Sequence, residues 1–191
     1  MKKINMLFGA VLLITSFSAE AQYMQNRPAV EPMFKADVGY APFIANSHKG
    51  DKGFIIDHTQ SFANADVMGG VCISQDFFLG IGLGYNYFAN PNNIAGGLHG
   101  ASAYVDFDYH PLQIEFSPMF YAKAGASYLI NSEGAYGSTL TPMVDLGVGC
   151  NWYFRHAVVN MERNYRSLFL TVGVAYMQQA VFLPIRLGFR F

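Results

Sequence analysis

Charge is what this chain has least of. Only 13% of its 191 residues are Asp, Glu, Lys or Arg, against roughly 25% in ordinary soluble domains, so much of its surface is expected never to meet water. Neither sign prevails: 12 Lys and Arg stand against 13 Asp and Glu, a net charge of −1. No basic run stands out, which argues against a nucleic-acid partner. Histidines number five, and no two are spaced as metal ligands, so no metal or other cofactor is expected. The most apolar run near the start, Met6 to Phe17, is short for a span of about 20 residues. It has instead the form of a secretory leader. Lys2 and Lys3 precede it and Ala19-Glu20-Ala21 follows it, the small-x-small pattern of a cleavage site. Cleavage is expected between Ala21 and Gln22. Residues 1–21 are then a signal peptide and 22–33, with Pro28 and Pro32, a lead-in outside the strands.

What the sequence has in quantity is glycine, 19 residues, and phenylalanine, 17, and they alternate. In the last stretch Val181, Leu183, Ile185, Leu187, Phe189 and Phe191 are apolar, whereas both arginines, Arg186 and Arg190, hold even positions. A strand sends alternate side chains to opposite faces; a 3.6-residue period would smear the arginines into the apolar stripe. The same parity recurs near 34–44, 62–73, 77–87, 98–109, 113–130, 140–154 and 167–177. The clearest case sets Phe77, Leu79, Ile81, Leu83, Tyr85 and Tyr87 against Phe78, Gly80, Gly82, Gly84 and Asn86. Eight strands result, and every charged residue inside them shares the glycine face. Cys72 is then inward and Cys150 outward, on the second and sixth strands. Opposite walls are too far apart for a bridge needing Cα atoms within about 7 Å, so two unbridged thiols are expected.

Alternation alone leaves open which face looks inward. A soluble barrel would hide the apolar set and show water a surface of Gly, Ser, Asn and few charges, which is a poor solvated face. The reverse arrangement, apolar outside and polar inside, is that of outer-membrane barrels, and closure satisfies every backbone group in lipid. The expected fold is all-β, an eight-stranded antiparallel up-and-down transmembrane barrel over residues 34–191. Its outward aromatics would form two girdles at the interfaces. Phe107, Tyr109, Phe116, Trp152, Phe154, Phe189 and Phe191 gather near one rim, and Tyr40, Tyr85, Tyr87, Tyr128 and Tyr176 near the other.

With its Ala19-Glu20-Ala21 leader end, its Gly-alternating Leu79 to Tyr87 and its terminal Phe191, the chain resembles small outer-membrane β-barrel proteins of the OmpA/OmpX type from Gram-negative bacteria. The resemblance implies a place in the outer membrane, contact with its lipid, and recognition of Phe191 by the barrel-assembly machinery. The segment Arg155 to Arg166 departs from it, being long for a periplasmic turn.

Inside, the charges are expected in two layers. At mid-depth Lys123 and Arg186 face Asp66 and Asp145; lower down Lys35 and Arg190 meet Asp37, Asp106, Asp108 and Glu115. A lumen of eight strands is just wide enough to be filled by side chains, so a plug of ion pairs is favoured over a gated pore. Catalysis is not expected. His58 with Ser61 and His99 with Ser102 are the nearby His/Ser combinations, but His99 and Ser102 point to opposite faces and His58 sits in a loop. His48 and His110 are expected in solvated turns. Recognition would fall to the loops 46–61, 90–97 and 131–139, which carry no motif that names a surface ligand.

Overall fold

The computed structural model describes residues 30–46, 61–73, 76–88, 98–112, 116–130, 140–153 and 166–191. Its strands in chain order are β1 (Val30–Ala41), β2 (Phe43–Asn46), β3 (Phe62–Ile73), β4 (Phe77–Phe88) and β5 (Leu98–Tyr109), then β6 (Phe116–Leu129), β7 (Leu140–Tyr153), β8 (Ser167–Met177), β9 (Ala180–Phe182) and β10 (Ile185–Arg190). The ten segments make eight walls, because two walls are each interrupted by a proline, which has no N–H to give a ladder. Pro42 separates β1 from β2 and Pro184 separates β9 from β10. The breaks are bridged: Leu183 N donates to Pro42 O at 2.9 Å and Gly173 N to Pro184 O at 3.1 Å. The first strand begins at Val30, earlier than the alternation from Phe34 predicts, because Val30 to Met33 pair with Ile73 to Gly70 despite Pro32.

Neighbouring walls are antiparallel throughout, and the sheet closes on itself. β1 pairs with β10 from Lys35↔Arg190 to Tyr40↔Ile185, and β2 pairs with β9 with a register shift between Phe43 and Ala45. Phe34 and Phe191 exchange both N–H···O bonds at 2.9 Å. The fold is a closed eight-stranded antiparallel barrel. We call the end holding Val30 and Arg190 the lower end and that holding Asn46 and Ala180 the upper.

The outward face is the apolar set. Ile81, 72% exposed, Leu83, Val67 and Val38 point away from the lumen, as do Leu146, Leu170 and Leu187. All nine lysines, arginines and aspartates expected inside and described here are buried: Lys35, Asp37, Asp66, Asp106, Asp108, Lys123, Asp145, Arg186 and Arg190. Glu115, Phe154, Ala21 and Gln22 lie outside the described residues, as do His48, His58 and nearly all of the three upper loops. The girdle residues Tyr40, Tyr85, Tyr87, Phe107, Tyr128 and Trp152 are exposed on the outer wall, with Tyr109 and Tyr176 half-buried. At the lower rim they stack, Phe77 on Tyr109 at 4.9 Å and Phe116 on Trp152 at 5.9 Å. Phe191 is exposed and stacks on Phe34 and Phe189. Cys72 is buried and Cys150 exposed, and no disulfide joins them.

Glycine on the inner face makes room for large side chains from the neighbouring strand. A methyl group at Gly82 would run into the Tyr104 ring, and one at Gly188 into the Phe169 ring. The upper turn between β8 and β9 works differently. Gln178 (φ 51°) and Gln179 (φ 60°) form a two-residue hairpin with both residues left-handed, a conformation usually left to Asn or Gly. The cost, about 1–2 kcal/mol per residue, is offset at Gln178 by its hydrogen bonds. Its N–H donates to Thr141 Oγ1 (3.1 Å), and its Nε2 donates to Ser127 O (3.1 Å) and Ser127 Oγ (3.2 Å). Gln178 is thereby folded over the upper mouth, with its side chain buried.

Candidate functional site

The lumen is where the chemistry-bearing residues converge, and it divides into three zones. Uppermost is an apolar stopper. Phe62, Phe88 and Phe182 pack ring to ring, Phe62 lying 4.9 Å from Phe182 and 5.1 Å from Phe88, with Ala41, Leu98, Leu129 and Met177 around them. Strand parity places these residues inward, but the sequence reading, which expected a plug of ion pairs, did not single them out.

Below it lies the mid-depth charge layer. Arg186, from β10, makes a close ion pair with Asp145 of β7 and donates to Tyr121 Oη at 3.2 Å, while Tyr121 Oη donates to Asp145 at 2.9 Å. Lys123 of β6 reaches across to Asp66 of β3 at 3.1 Å and to Asp37 of β1 at 3.4 Å. Its ammonium also stands 4.9 Å over the Tyr104 ring. Asn64 Nδ2 spans the two acids, 3.0 Å from Asp66 and 3.4 Å from Asp37. Asp37 therefore belongs to this layer. The expectation that it meets Lys35 and Arg190 is corrected by the register, which sets Asp37 opposite Asp66 and turns it toward Lys123.

The third zone is nearer the lower end. Lys35 pairs with Asp106 (2.5 Å) and Asp108 (2.6 Å), and Arg190 with Asp108 (2.9 Å). Lys35 also lies 4.4 Å over the Phe78 ring. His110, expected in a solvated turn, is instead 1% exposed. It lies just past β5 and folds under the barrel, with Arg190 Nη2 2.8 Å from its Nε2 and Asn151 Nδ2 2.8 Å from its Nδ1. Arginine has only donors, so Nε2 accepts and the ring proton is on Nδ1. The Asn151 amide must then present its oxygen to that proton, an orientation that also supplies Asn151 Oδ1 with the partner it otherwise lacks. Burial first, and then the Arg190 charge, push the His110 imidazole down to about 4, so the ring is neutral at ordinary pH.

One further cluster lies outside the lumen. On the upper outer wall the Tyr85 hydroxyl hydrogen-bonds His99 Nδ1, and the Tyr87 ring is 5.4 Å from the same imidazole. Ser102 is buried in the lumen, so it shares no face with His99. Asn64, Tyr121, Asn151 and Gln178 were missed from the sequence. Each is a neutral polar residue in phase with the charges, and that phase was the one signal available for them.

No protein-family model matches the chain, and no curated protein matches it in sequence. Solved structures do. Neisserial surface protein A aligns over 85% of this chain and 98% of its own at 12% identity, with a TM-score of 0.56. The chain has the fold of small outer-membrane barrels. The outer-membrane enzyme PagL aligns over 83% of this chain and 98% of its own at 13% identity and TM-score 0.49. The attachment invasion locus protein Ail of Yersinia pestis aligns over 84% and 99% at 15% identity and TM-score 0.39. In this outer-membrane-type barrel the apolar stopper and the two charge layers follow one another down the lumen.

Proposed function

We propose that this chain is an integral outer-membrane protein without catalytic activity, with a structural or surface-interaction role and a lumen closed to solutes. One observation supports the reading above the others. The outer wall is apolar around the whole barrel, while the buried charges sit in the lumen within reach of opposite charges. Lipid would satisfy the first surface, and buried charges persist where they are paired. On this reading the lower end faces the periplasm and the upper end the exterior. The leader over residues 1–21 directs export, and the C-terminal strand ending in Phe191 is read by the barrel-assembly machinery. The segments joining strands at the upper end carry any recognition, since rigid barrels place function on their loops.

Two measurements on one sample test this. The membrane fraction should show heat-modifiable migration on a gel, as a barrel folded in lipid does, and planar bilayers should show no stable open level. A reproducible conductance of porin size would overturn the closed lumen. Shaving the loops 46–61, 90–97 and 131–139 separates the two remaining roles: loss of surface adhesion favours recognition, and no change favours a structural role.

A further inference from the structure

A hollow lies on the outer wall of the barrel, apart from the lumen. It measures about 920 Å³ and crosses β1, β3, β4, β5 and β6, with Phe34 and Phe191 at its lower end. Ile81 and Leu83 of β4 stand out from the wall. Ala36 and Gly69 on one side of them, and Ala103 and Ala124 on the other, keep the surface low. The charged residue at its edge, Lys35, turns its ammonium inward to Asp106 and Asp108. The hollow is therefore lined by hydrocarbon.

The low ground continues upward along β5. Ala101 is the next outward position above Ala103, and its ladder partners on the two sides are Tyr85 of β4 and Tyr128 of β6. Above Ala101 comes His99, paired with Tyr87. A slot two strand spacings wide, about 10 Å, thus leads from the apolar hollow to the imidazole that hydrogen-bonds the Tyr85 hydroxyl. Tyr85, Tyr87 and Tyr128 belong to the upper girdle, and such belts sit where hydrocarbon gives way to headgroups. A membrane lipid has the same order along its length, acyl chains first and then a phosphate whose oxygens accept hydrogen bonds. Imidazole N–H and phenol O–H groups are donors suited to it.

We propose that the hollow and the slot above it seat one phosphate-bearing membrane lipid. An acyl chain runs along Ala101 and Ala103 into the hollow, and the phosphate meets the Tyr85–His99 pair. The site rests on the reading that the outer wall lies in lipid and is continuous with that contact, but adds a fixed position for one molecule of it. A second copy of the chain fits less well. Every aspartate in the described strands is buried and Glu31 shares the phase of Lys35, so the outer face of these strands brings no anion to the donors.

The test is native mass spectrometry of the folded chain, taken into detergent from vesicles of dimyristoylphosphatidylcholine mixed with dimyristoylglycerol, which has the same chains and no phosphate. The wild type should retain one phosphatidylcholine and no diacylglycerol. Ala103→Trp, which fills the slot, should lose it. Tyr85→Phe and His99→Phe keep a ring and remove the donors, and should retain at least about tenfold less, the loss of one hydrogen bond to a charged group. Leu170→Trp, on the outer wall of β8 away from the hollow, should retain the lipid. No retained lipid in the wild type, equal retention of the two lipids, or equal loss in Leu170→Trp and Ala103→Trp overturns the site. So does a dimer mass in place of the lipid-bound monomer, which would give the hollow to a second copy. Should Ala103→Trp not fold, Tyr85→Phe decides. Unheated gel migration is read on each sample: a wild type without heat-modifiable migration overturns the lipid-facing wall itself, whereas a heat-modifiable wild type without bound lipid overturns the site alone.

Discussion

Replacing Arg186 with leucine probes the mid-depth layer most directly. The guanidinium pairs closely with Asp145, donates to Tyr121 at 3.2 Å and stands 3.8 Å from both Asp37 and Asp66. Leucine fills part of the volume and supplies none of those contacts, leaving three carboxyl groups around Lys123 alone. Removing one partner of a buried ion pair typically costs about 3–5 kcal/mol. The assay is denaturant unfolding in lipid vesicles, followed by unheated gel migration and by the fluorescence of Trp152, the one tryptophan in the sequence. The free-energy difference is the midpoint shift multiplied by a slope that should not change. A double-mutant cycle then separates lost pairing from lost packing. Arg186→Leu with Asp145→Leu should recover much of the loss, with a coupling on the order of 2 kcal/mol, because an apolar pair often replaces a buried ion pair at little cost. An unchanged midpoint in the single variant, or two single losses that simply add, would refute the view that this layer is held by pairing across the lumen.

Other outcomes are equally definite. Gly125→Val should destabilise the barrel by at least about 1–3 kcal/mol, since its first new carbon would strike the β5 backbone at Ala103 and Tyr104; denaturant midpoints check this. Phe182→Ala should cost roughly 3–5 kcal/mol yet leave planar bilayers silent, because both charge layers still fill the lumen beneath the lost stopper. For His110 the folded value, about 4, lies below the ordinary 6.5. Between those values the unfolded chain binds more protons, so stability is full near neutrality and falls as pH drops through that window. His110→Gln should flatten that part of the pH profile, which stability measurements at a series of pH values would read directly. Gel migration of the monomer should not change with reductant, because Cys72 and Cys150 are unbridged.

Parity made much of this barrel legible. Leu79 to Tyr87 announces a strand by alternation alone, and the same rule sent the described strand charges from Lys35 onward inward before any fold was considered, whereas Glu31, which lies in β1, fell in the lead-in expected outside the strands. What parity cannot give is the partner. Lys35 reaches from β1 to Asp106 and Asp108 on β5, and Lys123 from β6 to β3 and β1, contacts set by barrel closure and stagger. Asp37 was placed in the wrong layer for that reason: its neighbours in sequence are those of the lower layer, but its neighbours across the lumen are not. His110 was misread because a residue after a strand usually meets water, whereas here Arg190 and Asn151 hold it beneath the barrel.

The apolar stopper and the prolines point to a division of labour along the axis. At mid-depth and below, glycines leave room for large side chains of the neighbouring strand: the Arg186 stem abuts Gly39, and the Phe169 ring fills the place of a side chain at Gly188. The ion pairs tie together walls that share no ladder, Lys35 of β1 to Asp106 of β5, Lys123 of β6 to Asp66 of β3 and Arg186 of β10 to Asp145 of β7, and so fix which wall faces which. At the upper end the ladder between β2 and β9 is short and shifted, and Pro42 and Pro184 have already interrupted both walls. There the linking is done by rings. Phe182 of β9 packs edge-on against Phe43 of β2 at 6.0 Å and Phe62 of β3 at 4.9 Å, while Gln178 ties the last hairpin to β6 and β7. Closure therefore rests on backbone pairing below the prolines and on side-chain packing above them, and the upper end is where substitutions in the lumen should loosen the barrel without unfolding it.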